Sequence, residues 1–224
     1  MNINIVEKID HFVKVENLLV SVSDKDGLDD FIPELLKINP GIKIFSTGGT
    51  YGKIKEILDA DTASCLIQVS DYTGQPETQG GLVKTLDFKI YLGLLTETYN
   101  ESHKNDLART GSVPIDMVVA NLYPFKETIS KQGVSVEQAR GNIDIGGPCM
   151  IRASAKNFIR VASVVDPVDY EMIISELKTN NGSTSLKFRF GLAQKAFEHT
   201  AVYDRTISDF LSSRKFEDVT KCYD

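Results

Sequence analysis

Leu18-Leu19-Val20-Ser21-Val22-Ser23-Asp24-Lys25-Asp26-Gly27 is a short apolar run that breaks abruptly into hydroxyls, charges and a glycine. Such a run, bounded by turn signals, predicts a buried strand over 18–23 that passes into a helix capped by Ser or Asp. Apolar Leu28, Phe31, Ile32, Leu35 and Leu36 recur at helical spacing, although Pro33 is expected to kink or shorten the helix, and Pro40-Gly41 closes it. The same unit then returns. Residues 42–46 predict a second strand, Thr47-Gly48-Gly49-Thr50 a turn, and the following stretch a helix to about Leu58.

Further on, 66–69, 90–95, 117–120 and 161–165 read as strands, with Met117-Val118-Val119-Ala120 the clearest central one. Residues 100–112 are polar and read as loop with short helix. A helix initiated by Pro167 is expected over 168–177, and the longest helix over 185–213, with Leu186, Phe190, Ala193, Phe197, Ala201, Ile207 and Leu211 near one face. Strands alternating with helices on short connections imply an α/β fold, a mostly parallel sheet flanked by helices on both faces. Ligands in such sheets bind beyond the carboxyl ends of the strands. Residues 1–17 read as an N-terminal arm, 18–213 as one domain, and 214–224 as a C-terminal tail.

The chain has 224 residues, is 42% hydrophobic, and carries a formal net charge of −6. That balance gives no global attraction to nucleic acid or to an anionic membrane, so a phosphate must be gripped locally. Three cysteines without metal-ligand spacing and an N-terminus without an apolar signal run point to a reduced, cytoplasmic setting. The three histidines, His11 in the arm, His103 in a polar loop and His199 in the long helix, suggest structural or exposed positions, and no metal or cofactor is indicated.

Several segments have the composition of an anion or nucleotide site. Ser21 to Lys25 offers hydroxyls, a lysine and helix amides, and Thr47-Gly48-Gly49-Thr50 lets backbone approach an oxyanion before a second helix begins. Either alone is equally well read as ordinary capping. Lys84 with Thr85 sits in an apolar stretch, Leu82-Val83-Lys84-Thr85-Leu86, where partial desolvation favours a lowered lysine pKa. Asp144-Ile145-Gly146-Gly147-Pro148 places a carboxylate before a helix expected to start at the proline, and Lys156 falls near that helix's end. The Asn121-Leu122-Tyr123 corner reads as structural by itself, since Asn and Pro commonly close strands.

Taken in order, eight segments resemble one family. They are Ser21-Val22-Ser23-Asp24-Lys25, Ser46-Thr47-Gly48-Gly49-Thr50, Val69-Ser70-Asp71-Tyr72-Thr73-Gly74, Val83-Lys84-Thr85-Leu86, Asn121-Leu122-Tyr123-Pro124-Phe125, Asn142 to Pro148, Ala155-Lys156-Asn157 and Lys195-Ala196-Phe197-Glu198-His199-Thr200. All are similar to the N-terminal domain of the bifunctional purine biosynthesis proteins, over about 18–211. The resemblance implies a methylglyoxal-synthase-like fold and an inosine monophosphate (IMP) cyclohydrolase that takes a purine ribonucleotide monophosphate.

It also implies roles. Ser23, Asp24, Lys25, Thr47, Gly48, Gly49 and Thr50 match the phosphate-holding stretches, and Thr85, Asn121, Ile145 and Gly146 those around ribose and base. Lys84, Tyr123, Asp144 and Lys156 match the catalytic group. A homodimer and a separately encoded formyltransferase are the partners this reading leaves open. The family pattern has Arg and His where this chain has Leu82 and Asp87, and a His-Gly pair at Tyr91-Leu92. A second reading of the same residues is therefore a purine-nucleotide-binding regulatory or scaffold module. Methylglyoxal synthesis shares the fold but not the Asp144 and Asn121-Leu122-Tyr123 motifs.

Overall fold

A computed structural model describes residues 5–75 and 85–223. Its centre is a five-stranded parallel sheet in which β2 (Asn17–Ser21) lies between β3 (Lys43–Ser46) and β5 (Met117–Ala120). β4 (Leu66–Gln68) extends the β3 side and β6 (Ala162–Val164) the β5 side. Every residue of β5 and the first four of β2 are buried, as expected of central strands covered on both faces. A small second sheet pairs β1 (Phe12–Lys14) antiparallel with β7 (Ser183–Ser185).

Alternation along the strands divides the core in two. Leu18, Val20, Met117, Val119, Ala162 and Val164 face α1 (Leu28–Ile38), α2 (Gly48–Ile57) and α9 (Tyr170–Thr179). Leu19, Phe45, Val118 and Ala120 face α4 (Phe88–Leu95) and α8 (Gly146–Lys156). The long α10 (Leu186–Ser212) reaches both clusters, placing Leu192 in the first and Ala193 and Ala196 in the second. A third, smaller cluster joins α10 through Phe210 to α6 (Phe125–Ser130) and α7 (Val136–Arg140).

Several expected elements differ. Residues 90–95 are helix, not strand: Asp87 caps α4 by accepting from the Lys89 N–H at 2.7 Å, and burial of Ile90, Gly93 and Leu94 follows a helical period. Residues 100–112 form one helix, α5 (Glu101–Thr110), capped by Asn100 and stopped by Gly111, so His103 is helical. The first helix continues through Pro33, because Phe31, Ile32, Leu35 and Leu36 are buried on either side of it. Its N-cap is Gly27 at φ 76°, neither Ser nor Asp. Val69 opens α3 (Val69–Thr73) and does not end the strand, and α8 starts at Gly146, two residues before the expected proline. The Pro167 helix is a 3-10 turn, Pro167–Asp169, followed by α9.

The face of α10 is the largest correction. Arg189, Leu192, Ala193, Ala196, Thr200 and Phe210 are buried, while Phe190, Phe197 and Leu211 are exposed. The guanidinium of Arg189 explains the reversal. It is fully buried and donates to the carbonyls of Asp10 (2.9 Å), Phe158 (3.0 Å), Ile159 (3.1 Å) and Thr184, joining the N-terminal segment, the end of α8 and β7.

A second buried arginine ties the amino ends of the strands together. Arg160 donates to Asp116 Oδ1 at 2.7 Å and to the carbonyls of Gly93 and Ile115. The other Asp116 oxygen accepts from the N–H groups of Glu16 (3.0 Å) and Asn17 (2.8 Å), at the start of β2. Removing one member of such a pair leaves a buried charge uncompensated. Arg160→Met is expected to lower the free energy of unfolding by about 3–5 kcal/mol, measured as a shift of the denaturant midpoint. A midpoint equal to that of the unsubstituted chain would contradict the assignment.

Candidate active site

The carboxyl ends of β2, β3 and β5 open into a cavity of about 390 Å³, within the size range of small-ligand sites. Its floor is the segment after β2. Asn121, the first residue beyond β5, holds that segment through both ends of its amide. Its Oδ1 accepts from the N–H groups of Ser23 (2.6 Å) and Asp24 (2.9 Å), and its Nδ2 donates to the Asp24 carbonyl at 2.8 Å. The Asp24 carboxylate turns outward and accepts from the Asp26 N–H at 3.0 Å. This leaves Lys25 inside, where its ammonium donates to the Ser23 carbonyl at 3.2 Å.

The segment after β3 faces it. Gly48 has φ 48° and Gly49 lies against Lys25: a Cβ on Gly49 would stand 3.8 Å from Lys25 Cε. Together with Thr47 they open α2, whose first amides have no partner within the helix. Lysine, a helix N-terminus and two hydroxyls, Ser21 and Thr47 at 3.3 Å from each other, make one cradle for an oxyanion. Thr50 lines the cavity but its buried hydroxyl is committed, accepting from the Val22 N–H (3.1 Å) and donating to the Val22 carbonyl (3.0 Å).

The opposite wall comes from the start of α8. Gly147 N–H donates to the Asp144 carboxylate at 2.8 Å, and the Tyr123 backbone N–H also bonds to it. Burial nevertheless holds this carboxyl above the usual Asp range, with those two N–H bonds opposing. Both glycines are needed as glycines. A Cβ on Gly147 would fall 2.6 Å from Asp144 Oδ2 and from Leu122 Cδ2, and one on Gly146 would fall 2.7 Å from Thr85 Oγ1. Tyr123 and Ile145, 52% and 59% exposed, stand at the cavity wall as apolar surfaces for a flat ligand.

The structure therefore brings Ser23, Lys25, Thr47, Gly48, Gly49, Thr50, Thr85, Asn121, Tyr123, Asp144, Ile145 and Gly146 around one cavity. Asp24 is exposed and does not line it. Lys156 is the last residue of α8, exposed, and ten positions from Gly146, which at 1.5 Å per residue is about 15 Å along the axis. Lys84, with Gly80-Gly81, Leu82 and Val83, lies outside the described residues. Sequence reasoning did not find Gly141, Ile143 or Leu86 in the lining, nor Tyr203, which bonds Asp144 from 59 residues away and has no local signal. Among the described residues no cluster of His, Cys, Asp and Glu could hold a metal ion, and no helix is long and apolar enough to cross a membrane.

This sheet, with its ligand cavity at the strand ends, belongs to a known family. The chain is a member of the MGS-like domain family, whose model matches residues 27–149, and residues 154–223 match the AICARFT/IMPCHase bienzyme model. Its relatives include the bifunctional purine biosynthesis protein PurH of Thermoanaerobacter sp. (strain X514), 50% identical over 193 residues, covering 86% of this chain and 36% of that protein. PurH of Bacillus cereus is 47% identical over 200 residues, covering 89% and 38% respectively. The chain thus spans less than two-fifths of these relatives' length. Among solved structures, the crystal structure of ForH superposes with a TM-score of 0.76 at 30% identity, over 88% of this chain and 97% of that one.

The grip of Asn121 can be tested without any ligand. Asn121→Ala is expected to speed hydrogen exchange of the Ser23 and Asp24 amides by about tenfold or more, while core amides of β5 keep their protection. Unchanged exchange at both positions would show that the loop is held by something else.

Proposed function

We propose that the chain is an IMP cyclohydrolase, closing the six-membered ring of 5-formamidoimidazole-4-carboxamide ribonucleotide with loss of water. One observation carries this reading: an anion cradle of Lys25 and the α2 N-terminus shares a cavity with a half-buried carboxylate, Asp144, whose pKa is raised. The naming of the PurH relatives and the bienzyme match supports the same reaction. The relatives' bifunctional naming also supports a formyltransferase as the supplier of the formamido substrate.

In this reaction the carboxamide nitrogen bonds to the formyl carbon. The formyl oxygen then leaves as water, taking one proton from the carboxamide nitrogen and one from the formamide nitrogen. A carboxamide is a poor nucleophile, so alignment and proton removal are the protein's tasks. The phosphate is held by Lys25, Ser23 and the Thr47-Gly48-Gly49 segment, and the base lies between Tyr123 and Ile145. Asp144, ionised, accepts the carboxamide N–H and orients the nitrogen toward the formyl carbon. Lys84 precedes Thr85, which lines the cavity, and serves as the proton carrier and as a cation for the developing oxyanion.

Incubation with the formamido ribonucleotide, followed by the absorbance of IMP, is expected to show saturable turnover. Lys25→Ala removes a charge-assisted contact worth about 2 kcal/mol, so KM is expected to rise about thirtyfold. Asp144→Asn is expected to lower kcat by about a hundredfold. Because burial raises the Asp144 pKa, the acidic limb of the kcat profile should have its midpoint above the free-Asp value of about 4. Binding of IMP without turnover would leave a nucleotide-binding module, and no binding at all would remove the assignment.

A further inference from the structure

Asp144 is fixed at two points. Its carboxylate is held from within its own neighbourhood, by the N–H groups of Gly147 and Tyr123. Its backbone is held from elsewhere: the Asp144 N–H donates to the hydroxyl oxygen of Tyr203, on α10, at 2.8 Å. The same hydroxyl donates to the Asn142 carbonyl at 3.5 Å. One phenol oxygen thus spans both ends of the segment 142–144. Residues 143 and 144 lie between α7 and α8: the Ile143 N–H still reaches back to the Arg140 carbonyl at 3.1 Å, whereas the Asp144 N–H turns to the Tyr203 hydroxyl.

The ring of Tyr203 is held independently of its hydroxyl. It meets Phe125 edge-on, with centroids 6.2 Å apart and planes at 68°, and packs on the cluster formed by Phe125, Ala139 and Phe210. Burial pushes the phenol pKa up; the hydrogen bond from the Asp144 N–H opposes this, and the charges of Asp144 and Asp204 and the Tyr123 phenol add to it. The group is therefore a neutral hydroxyl at physiological pH, able to accept and donate at once. Tyr203 is not in the cavity lining.

We infer that Tyr203 is a positioning residue of the site, its hydroxyl setting the 142–144 segment and so aiming the Asp144 carboxylate into the cavity. The inference rests on the cyclohydrolase reading for its effect on turnover, but not for its effect on Asp144 itself. Removal of the hydroxyl leaves the packed ring in place and frees the Asp144 amide, so the carboxylate loses its fixed relation to Gly147 and Tyr123. Small misplacements of this kind cost rate more than binding, because they disturb the alignment of the reacting groups.

Tyr203→Phe tests this. Its urea midpoint is expected to stay close to that of the unsubstituted chain, confirming the packing. With the formamido ribonucleotide, kcat is expected to fall on the order of tenfold to a hundredfold while KM changes by less than about threefold. Combined with Asp144→Asn, the substitution should cost no further rate, since both act through the same carboxylate. An unchanged kcat, or a full additional loss on top of Asp144→Asn, would overturn the inference. A separate readout needs no turnover: carbon NMR titration of the Asp144 carboxyl in the ligand-free chain. A displaced midpoint in Tyr203→Phe supports positioning and an identical titration refutes it, even if an inactive parent chain has already removed the cyclohydrolase reading.

Discussion

The side-chain amide of Asn121 is the contact on which the site depends. It stands at the end of β5 and fastens the backbone of Ser23 and Asp24, which follows β2, so two adjacent parallel strands end in one rigid platform. A short polar loop has little burial of its own to keep it in place, and its amides must find acceptors or remain wet. Three hydrogen bonds from one side chain solve this and fix the direction in which Lys25 emerges. The Thr50 hydroxyl does the same from the β3 side, bridging both the N–H and the carbonyl of Val22. Two residues that look like ligand contacts are thus spent on shaping the surface that meets the ligand.

The far wall follows a different logic. Here the backbone must come close, and glycine permits it: Gly146 lets the Thr85 hydroxyl approach and Gly147 leaves room for the Asp144 carboxylate and the Leu122 side chain. The distant support comes from α10, which crosses behind the sheet edge. Arg189 near its start collects carbonyls from three segments, and Tyr203 two-thirds of the way along reaches Asp144. One helix therefore links the packing of the fold to the position of its half-buried carboxylate.

Much of this was legible in the sequence, and the reasons for the misses are specific. The strand ends and their hydroxyl, glycine and lysine clusters are local signals, so β2 to β6 are legible, and so are most of the side chains that gather at one cavity. Residues 90–95 are a short, wholly apolar run, ambiguous between strand and helix in the sequence, and the Asp87 cap decides for helix. On α10, hydrophobicity points to the face of Phe190 and Phe197, whereas the chain buries Arg189 and small residues beside it. Asn121, Thr50 and Tyr203 act through contacts made only in three dimensions. The end of α8 at Lys156 is legible, whereas its start at Gly146 is not, because Pro148 favours the first turn.

The central claim is that the ends of β2 and β3 form one phosphate cradle opposite Asp144. A crystal structure of the chain with inosine monophosphate tests it most directly. The phosphate is expected within hydrogen-bond distance of Lys25 Nζ and the Gly48 and Gly49 amides, with the base edge toward Asp144. A phosphate bound anywhere else on the sheet, or a base pointing away from Asp144, would contradict it.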